Sequence, residues 1–175
     1  MRPALGDVLI HARILGWMED GALPVSLEMV EEADRRAGTW DGLRAALQRE
    51  VETDGPDGAG PLAEAVRALA DERIARLAVG ERLDDTPDPR LEALSGPDPT
   101  RDVVACALLL DDLRRLDREG RIAGEVGWAM RRWAWAELGR ALRRLAAEAP
   151  EVHRSAAEAA ERQLRGAQSS GASPS

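Results

Sequence analysis

Five features of the chain have residue types and spacing that could do chemistry. In DDLRRLD, Asp111, Asp112 and Asp117 could share a divalent cation if a helix turned their carboxylates to one side. In EEAD, Glu31 and Asp34 have the i,i+3 spacing that sets two carboxylates on one helical face. Arg131 and Arg132 could meet phosphates or guanine edges. The two histidines offer less: His11 has Asp7 one turn before it and His153 has Glu151 nearby, short of the ligand sets of zinc or di-iron. Cys106, the single cysteine, lies in the apolar run VVACALLL, where a buried and inert thiol is expected. No Gly-rich phosphate loop or GxSxG elbow occurs, and Ser26 and Ser95 read as cap and turn residues.

Three of these features resemble known families. DDLRRLD resembles the first aspartate-rich motif of isoprenyl diphosphate synthases, which hold magnesium against a diphosphate. That resemblance covers only these residues, and the second cluster such enzymes need would fall to Asp84 and Asp85 in a loop. LGDVLIHARI followed by EEAD is similar to the all-helical MazG-type nucleotide pyrophosphohydrolases. It implies a Mg-dependent nucleotide phosphohydrolase resting on Glu31 and Asp34, with only the ExxD half of the acidic motif present. REGRIAGEVGWAMRRWAWAE resembles a helix-turn-helix, with Ala123 four residues before Gly127 and Ile122, Val126, Trp128 and Trp133 at its buried positions. That resemblance implies a turn at Gly127 and a recognition helix presenting Arg131 and Arg132 to the major groove. The competing reading is one uninterrupted helix through Gly120, Gly124 and Gly127, whose low helix propensity makes a break compatible with either.

The elements that must position these residues are helices. Apolar residues recur at helical intervals from 5 to 19, closed by Gly21, and again after Pro24 as far as Gly38. Thr39 then caps a helix from Trp40 to about Val51, which TDGPDGAGP stops with a flexible turn. Pro61 opens a helix that frays near Leu83. Asp88-Pro89 and Ser95-Gly96 bracket a turn or two, and Asp98-Pro99 opens a helix to about Glu119 that is apolar nearly all round. The stretch from Arg121 to Leu145 follows, and a last short helix runs from Glu151 to about Arg165.

The stretch from Arg121 to Leu145 organises the rest, because it holds three of the five tryptophans in a chain that has no phenylalanine or tyrosine. Trp128, Trp135, Leu138, Leu142 and Leu145 form one helical stripe, expected to be core. Val126, Met130 and Trp133 form a second on another side. A helix apolar on two sides lies between neighbours or meets another subunit.

The net charge of −8 argues against generic attraction to nucleic acid or anionic membrane. Its distribution is uneven, since residues 113–145 hold nine arginines against four acids, a local +5 that leaves −13 elsewhere. We therefore expect an all-α, single-domain bundle of about six or seven helices around a central Trp-rich helix, spanning 1–165, with a disordered tail at 166–175. The expected function is that of a non-catalytic accessory, adaptor or regulatory protein, cytoplasmic and without cofactor. It would act by protein contact and self-associate through Val126, Met130 and Trp133. The alternatives are a DNA-binding regulator using Arg131 and Arg132, and the phosphohydrolase.

Overall fold

A computed structural model describes residues 1–53, 55 and 58–170, with side chains as far as residue 166. Among them the chain forms seven helices and no strand: α1 (Pro3–Asp20), α2 (Met29–Glu52), α3 (Gly60–Ala78), α4 (Pro89–Ser95), α5 (Pro99–Arg118), α6 (Gly124–Glu148) and α7 (Pro150–Ser170). No helix among them is long and apolar enough to cross a membrane.

The boundaries follow from local chemistry. The Asp88 carboxylate accepts from the Arg90 N–H at 2.9 Å and opens α4; Asp98 accepts from the Thr100 N–H at 3.0 Å and opens α5. A proline follows each cap, where its missing N–H costs nothing. Gly21, with φ +65°, closes α1.

Two expected boundaries are absent. Pro24 opens no helix, and α2 is continuous through Gly38 and Thr39. The Thr39 hydroxyl donates to the Arg35 carbonyl one turn back at 2.6 Å, a bond that a continuing helix offers and a cap does not. Val25, in the segment before α2, is buried beside Ile14, Met18, Ala160 and Leu164 in a small second apolar cluster. At the other end, α7 passes the expected stop at Arg165 and reaches Ser170. Residues 171–175 of the expected tail, and 54, 56 and 57 of the expected turn, lie outside the described residues.

The bundle is centred on the α5–α6 pair. Helix α5 is buried without interruption from Asp102 to Leu110, then at Leu113 and Leu116, and it packs against α1, α2, α3, α4 and α6. That enclosure is what an apolar circumference requires. Helix α7 closes one side by laying Ala156, Ala160 and Leu164, an i,i+4 line, toward α1 and α6.

Helices α1 and α2 cross where Gly42 meets His11. The His11 Nδ1–H donates to the Asp7 carbonyl at 2.6 Å, and a Cβ on Gly42 would fall within contact distance of three atoms of the ring. We predict that Gly42→Ala lowers the unfolding free energy by about 1–3 kcal/mol through this overpacking. Gly38→Ala, with nothing within 4 Å of its Cβ, instead raises it by roughly 0.5–1 kcal/mol. Urea titrations of the two variants check both, and a Gly38→Ala that destabilised would contradict a continuous α2.

Candidate functional site

The chain turns between α5 and α6 at residues 119–123, where Gly120 has φ +68° and Gly124, the first residue of α6, has φ +57°. Both values lie in the left-handed region that favours glycine. Gly127 has no such conformation. It is buried in the first turns of α6 near Ile122, and the helix passes through it without a break. The turn implied by the helix-turn-helix resemblance is thus not at Gly127, because the two positive-φ glycines before it already reverse the chain.

The rotation of α6 is fixed by Glu137, which is only 7 % exposed. Its Oε1 accepts from the Trp133 indole N–H at 3.1 Å, from the Arg140 guanidinium at 2.6 Å and from the Asp88 backbone N–H at 3.1 Å. Arg140 also donates to the Asp85 carbonyl at 2.9 Å. From α3, Arg73 stacks over the Trp133 ring at 4.1 Å and donates to the Asp84 carbonyl at 2.7 Å. Burial lowers the pKa of Arg73, with Asp88 and Glu137 acting against that shift. The long α3–α4 connection is therefore tied to α3 and α6 by polar contacts, to which Arg76 adds an ion pair with Glu81 and Arg132 one with Asp85. Burial also opposes ionisation of Asp88, but hydrogen bonds from Arg90 outweigh it and hold that carboxyl below its ordinary value.

This arrangement decides which tryptophan faces where. Met130 and Trp133 are fully enclosed by the chain itself, with Val126 half-buried beside the core. Two of the three residues expected to receive a partner, Met130 and Trp133, are thus occupied within the chain, and Val126 alone keeps part of its surface. On the other stripe Leu138, Leu142 and Leu145 are buried as expected, whereas Trp135 is half-buried against Trp40, ring centroids 6.0 Å apart. Trp128 is 58 % exposed. The guanidinium of Arg132 lies 5.0 Å from the centre of its ring and pairs with Asp85 at 2.5 Å; Arg131 pairs with Asp117 at 3.3 Å.

The acidic groups are not brought together. Asp112 pairs with Arg67 and Arg115, both at 3.5 Å, while Asp117 is taken by Arg131. Asp111 is partly enclosed, and burial raises its pKa. Glu31 and Asp34 sit on the first turns of α2. Among the described residues no group of three or more His, Cys, Asp or Glu is arranged to hold a metal ion. Cys106 is buried, which pushes its thiol well above the ordinary range, with Asp102 and Glu137 adding to the shift.

One surface went unnoticed in the sequence. The first turns of α2, 29–38, contain no buried residue, and Met29 and Val30 are 87 % and 75 % exposed. They stand among Glu28, Glu31, Glu32 and Asp34. The apolar spacing after Pro24 pointed the wrong way here, since Val30 and Ala33 fall on the exposed first turns of α2.

No family model, curated protein or solved structure matches this chain.

Glu137→Ala strands the Arg140 guanidinium, the Trp133 indole N–H and the Asp88 backbone N–H. We predict a loss of about 3–5 kcal/mol in unfolding free energy, with a red shift of tryptophan emission as the α3–α4 connection detaches. Denaturant titration followed by fluorescence checks this, and a loss comparable to that of a surface substitution would contradict the role assigned to Glu137.

Proposed function

We propose that this chain is a helical accessory or adaptor protein that acts by protein contact, and that one of its partners is a second copy of itself. The observation that carries the reading is Trp128, a tryptophan more than half exposed near the start of α6 with Arg132 stacked on its ring. Tryptophan and arginine are the residues most often found at the energetic centres of interfaces, where a large ring is buried at small entropic cost.

The second copy is favoured by complementarity within one chain. The α2 overhang presents Met29 and Val30 among four carboxylates. The start of α6 presents Trp128 with the exposed guanidinium of Arg132, and Arg121 is also exposed in the preceding turn. The carboxylates around Met29 and Val30 outnumber the arginines beside them, and the guanidiniums of Arg121 and Arg132, though each pairs within the chain, stay more than half exposed, a complementarity that steers the encounter. The contact joins two different surfaces, so it gives a two-fold pair if made twice, and otherwise a ring or an open chain.

Arg131 and Arg132, on which DNA binding depends, are each held by a carboxylate of the same chain. The net charge of −8, rather than these pairings, favours protein contact over nucleic acid.

Sedimentation velocity on the wild type, Trp128→Ser and Met29→Ser tests the proposal. All three should fold alike by circular dichroism, because both side chains are exposed. We expect the wild type to associate at concentrations of about 10–100 μM and to dissociate as salt is raised. Both variants should remain monomeric. A wild type that is monomeric throughout this range overturns the self-pairing, as does association that neither substitution weakens.

A further inference from the structure

A cleft of about 260 Å³ opens where α1, α6 and α7 meet, some way along α6 from Trp128. Its size is just below the roughly 300–1,000 Å³ of pockets that take drug-sized molecules, and so suits a small metabolite. Trp135, Leu138 and Leu142 supply an apolar wall, and the glycines Gly16 and Gly139 also line it. A Cβ on Gly16 would stand 3.0 Å from Leu142 Cδ1 and 3.2 Å from an Arg13 terminal nitrogen, so the missing side chain leaves the guanidinium its room.

The charges on this cleft are poorly satisfied by the protein. Arg13 rests over the Trp17 ring at 5.2 Å, and its one hydrogen bond is a long one, 3.5 Å, to the Nε2 of His153. Its Nε is buried without an acceptor. Burial lowers the pKa of Arg13, Asp20 opposing. Burial and the neighbouring Arg13 also lower the pKa of His153, which keeps the Nε2 lone pair available to that guanidinium. Arg143 lines the same cleft, and among the described residues no carboxylate pairs with it or with Arg13. Yet Glu19 and Asp20 are also in the wall. Neither forms an ion pair with Arg13, although Asp20 acts on it through space. A half-buried guanidinium with no carboxylate in contact and a buried Nε without an acceptor is costly to the fold, and such a cost is commonly retained where a ligand supplies the missing acceptor.

We propose that the α1–α6–α7 cleft binds a small zwitterion with an apolar side chain, of the class of a free apolar α-amino acid. The ligand carboxylate meets Arg13 and Arg143, its ammonium turns toward Glu19 and Asp20, and its side chain lies on Trp135, Leu138 and Leu142. Two fixed positive and two negative charges with a neutral imidazole suit a ligand of zero net charge. The carboxylates disfavour a multiply charged anion. This inference is independent of the self-pairing through Trp128.

The test is titration of the full chain with L-leucine, n-hexanoate, n-hexylamine and inorganic phosphate, read by tryptophan fluorescence and by thermal unfolding. L-leucine should bind saturably with a Kd of about 5 mM or tighter and raise the unfolding temperature. Hexanoate, lacking the ammonium, should bind roughly tenfold more weakly, a difference that Glu19→Gln with Asp20→Asn removes. Hexylamine should not bind. Arg13→Met should abolish leucine binding while leaving the unliganded protein as stable as the wild type or more so, the opposite of what a purely structural arginine would do. If that variant fails to fold, the proposal rests on Arg143→Met, whose more exposed side chain is removed without disturbing the core. The proposal is overturned if leucine gives no saturable signal up to about 50 mM, if phosphate binds as well as leucine, or if neither arginine matters to binding.

Discussion

A single buried carboxylate sets the geometry on which the rest of this protein depends. Glu137 lies in the middle of the apolar surface of α6 and receives three donors on one oxygen, from its own helix and from the α3–α4 connection. A carboxylate so enclosed is tolerated only when its hydrogen bonds are met, and it penalises every rotation of α6 that would strand them. The apolar side chains of α6 do not have this power, because a stripe of leucine and tryptophan packs acceptably over a range of angles. Hydrophobic burial holds α6 against α5; the Glu137 knot selects which of its tryptophans is inside.

The functional reading follows from that selection. With Trp133 turned inward beneath Arg73, Trp128 is turned outward at the start of the same helix, with Arg132 on its face. The arginines of this region divide along the same line. Arg73 and Arg140 are structural, tying carbonyls of the α3–α4 connection, while Arg131 and Arg132 pair with carboxylates at the surface. Local positive charge thus serves to secure a loop and to frame an exposed ring. Arg13 and Arg143, in the cleft on the far part of α6, follow neither pattern, and their unmet charge is the ground for assigning a ligand there.

The fold class was legible in the sequence because its signals are local. Asp88-Pro89 and Asp98-Pro99 each combine a side-chain acceptor with a pre-set φ, and both open helices as read. Gly38-Thr39 uses the same residue types yet interrupts nothing. A threonine hydroxyl bonds equally well to a helix behind it as to one ahead, and sequence alone does not distinguish the two. The orientation of α6 was harder still. Periodicity established that Trp128 and Trp135 share one side and Met130 and Trp133 another, but burial depends on what stands opposite, and Arg73 and Asp88 come from distant parts of the chain. Glu137, one turn after Trp133 and just before Arg140, was the available clue: a carboxylate among apolar residues with a donor on either side. The cleft was not legible at all, since Arg13, Arg143 and His153 are brought together only by the packing of three helices.

The central claim, that α6 is held with Trp133 inside and Trp128 outside, is tested most directly by hydrogen exchange at the five indole N–H groups, followed by NMR after transfer to D₂O. The Trp133 indole N–H, bonded to Glu137, should exchange only through global unfolding, orders of magnitude more slowly than that of Trp128, which should be lost in the first spectrum. Rapid exchange at Trp133, or protection at Trp128 in a sample dilute enough to be monomeric, would contradict this account of the structure.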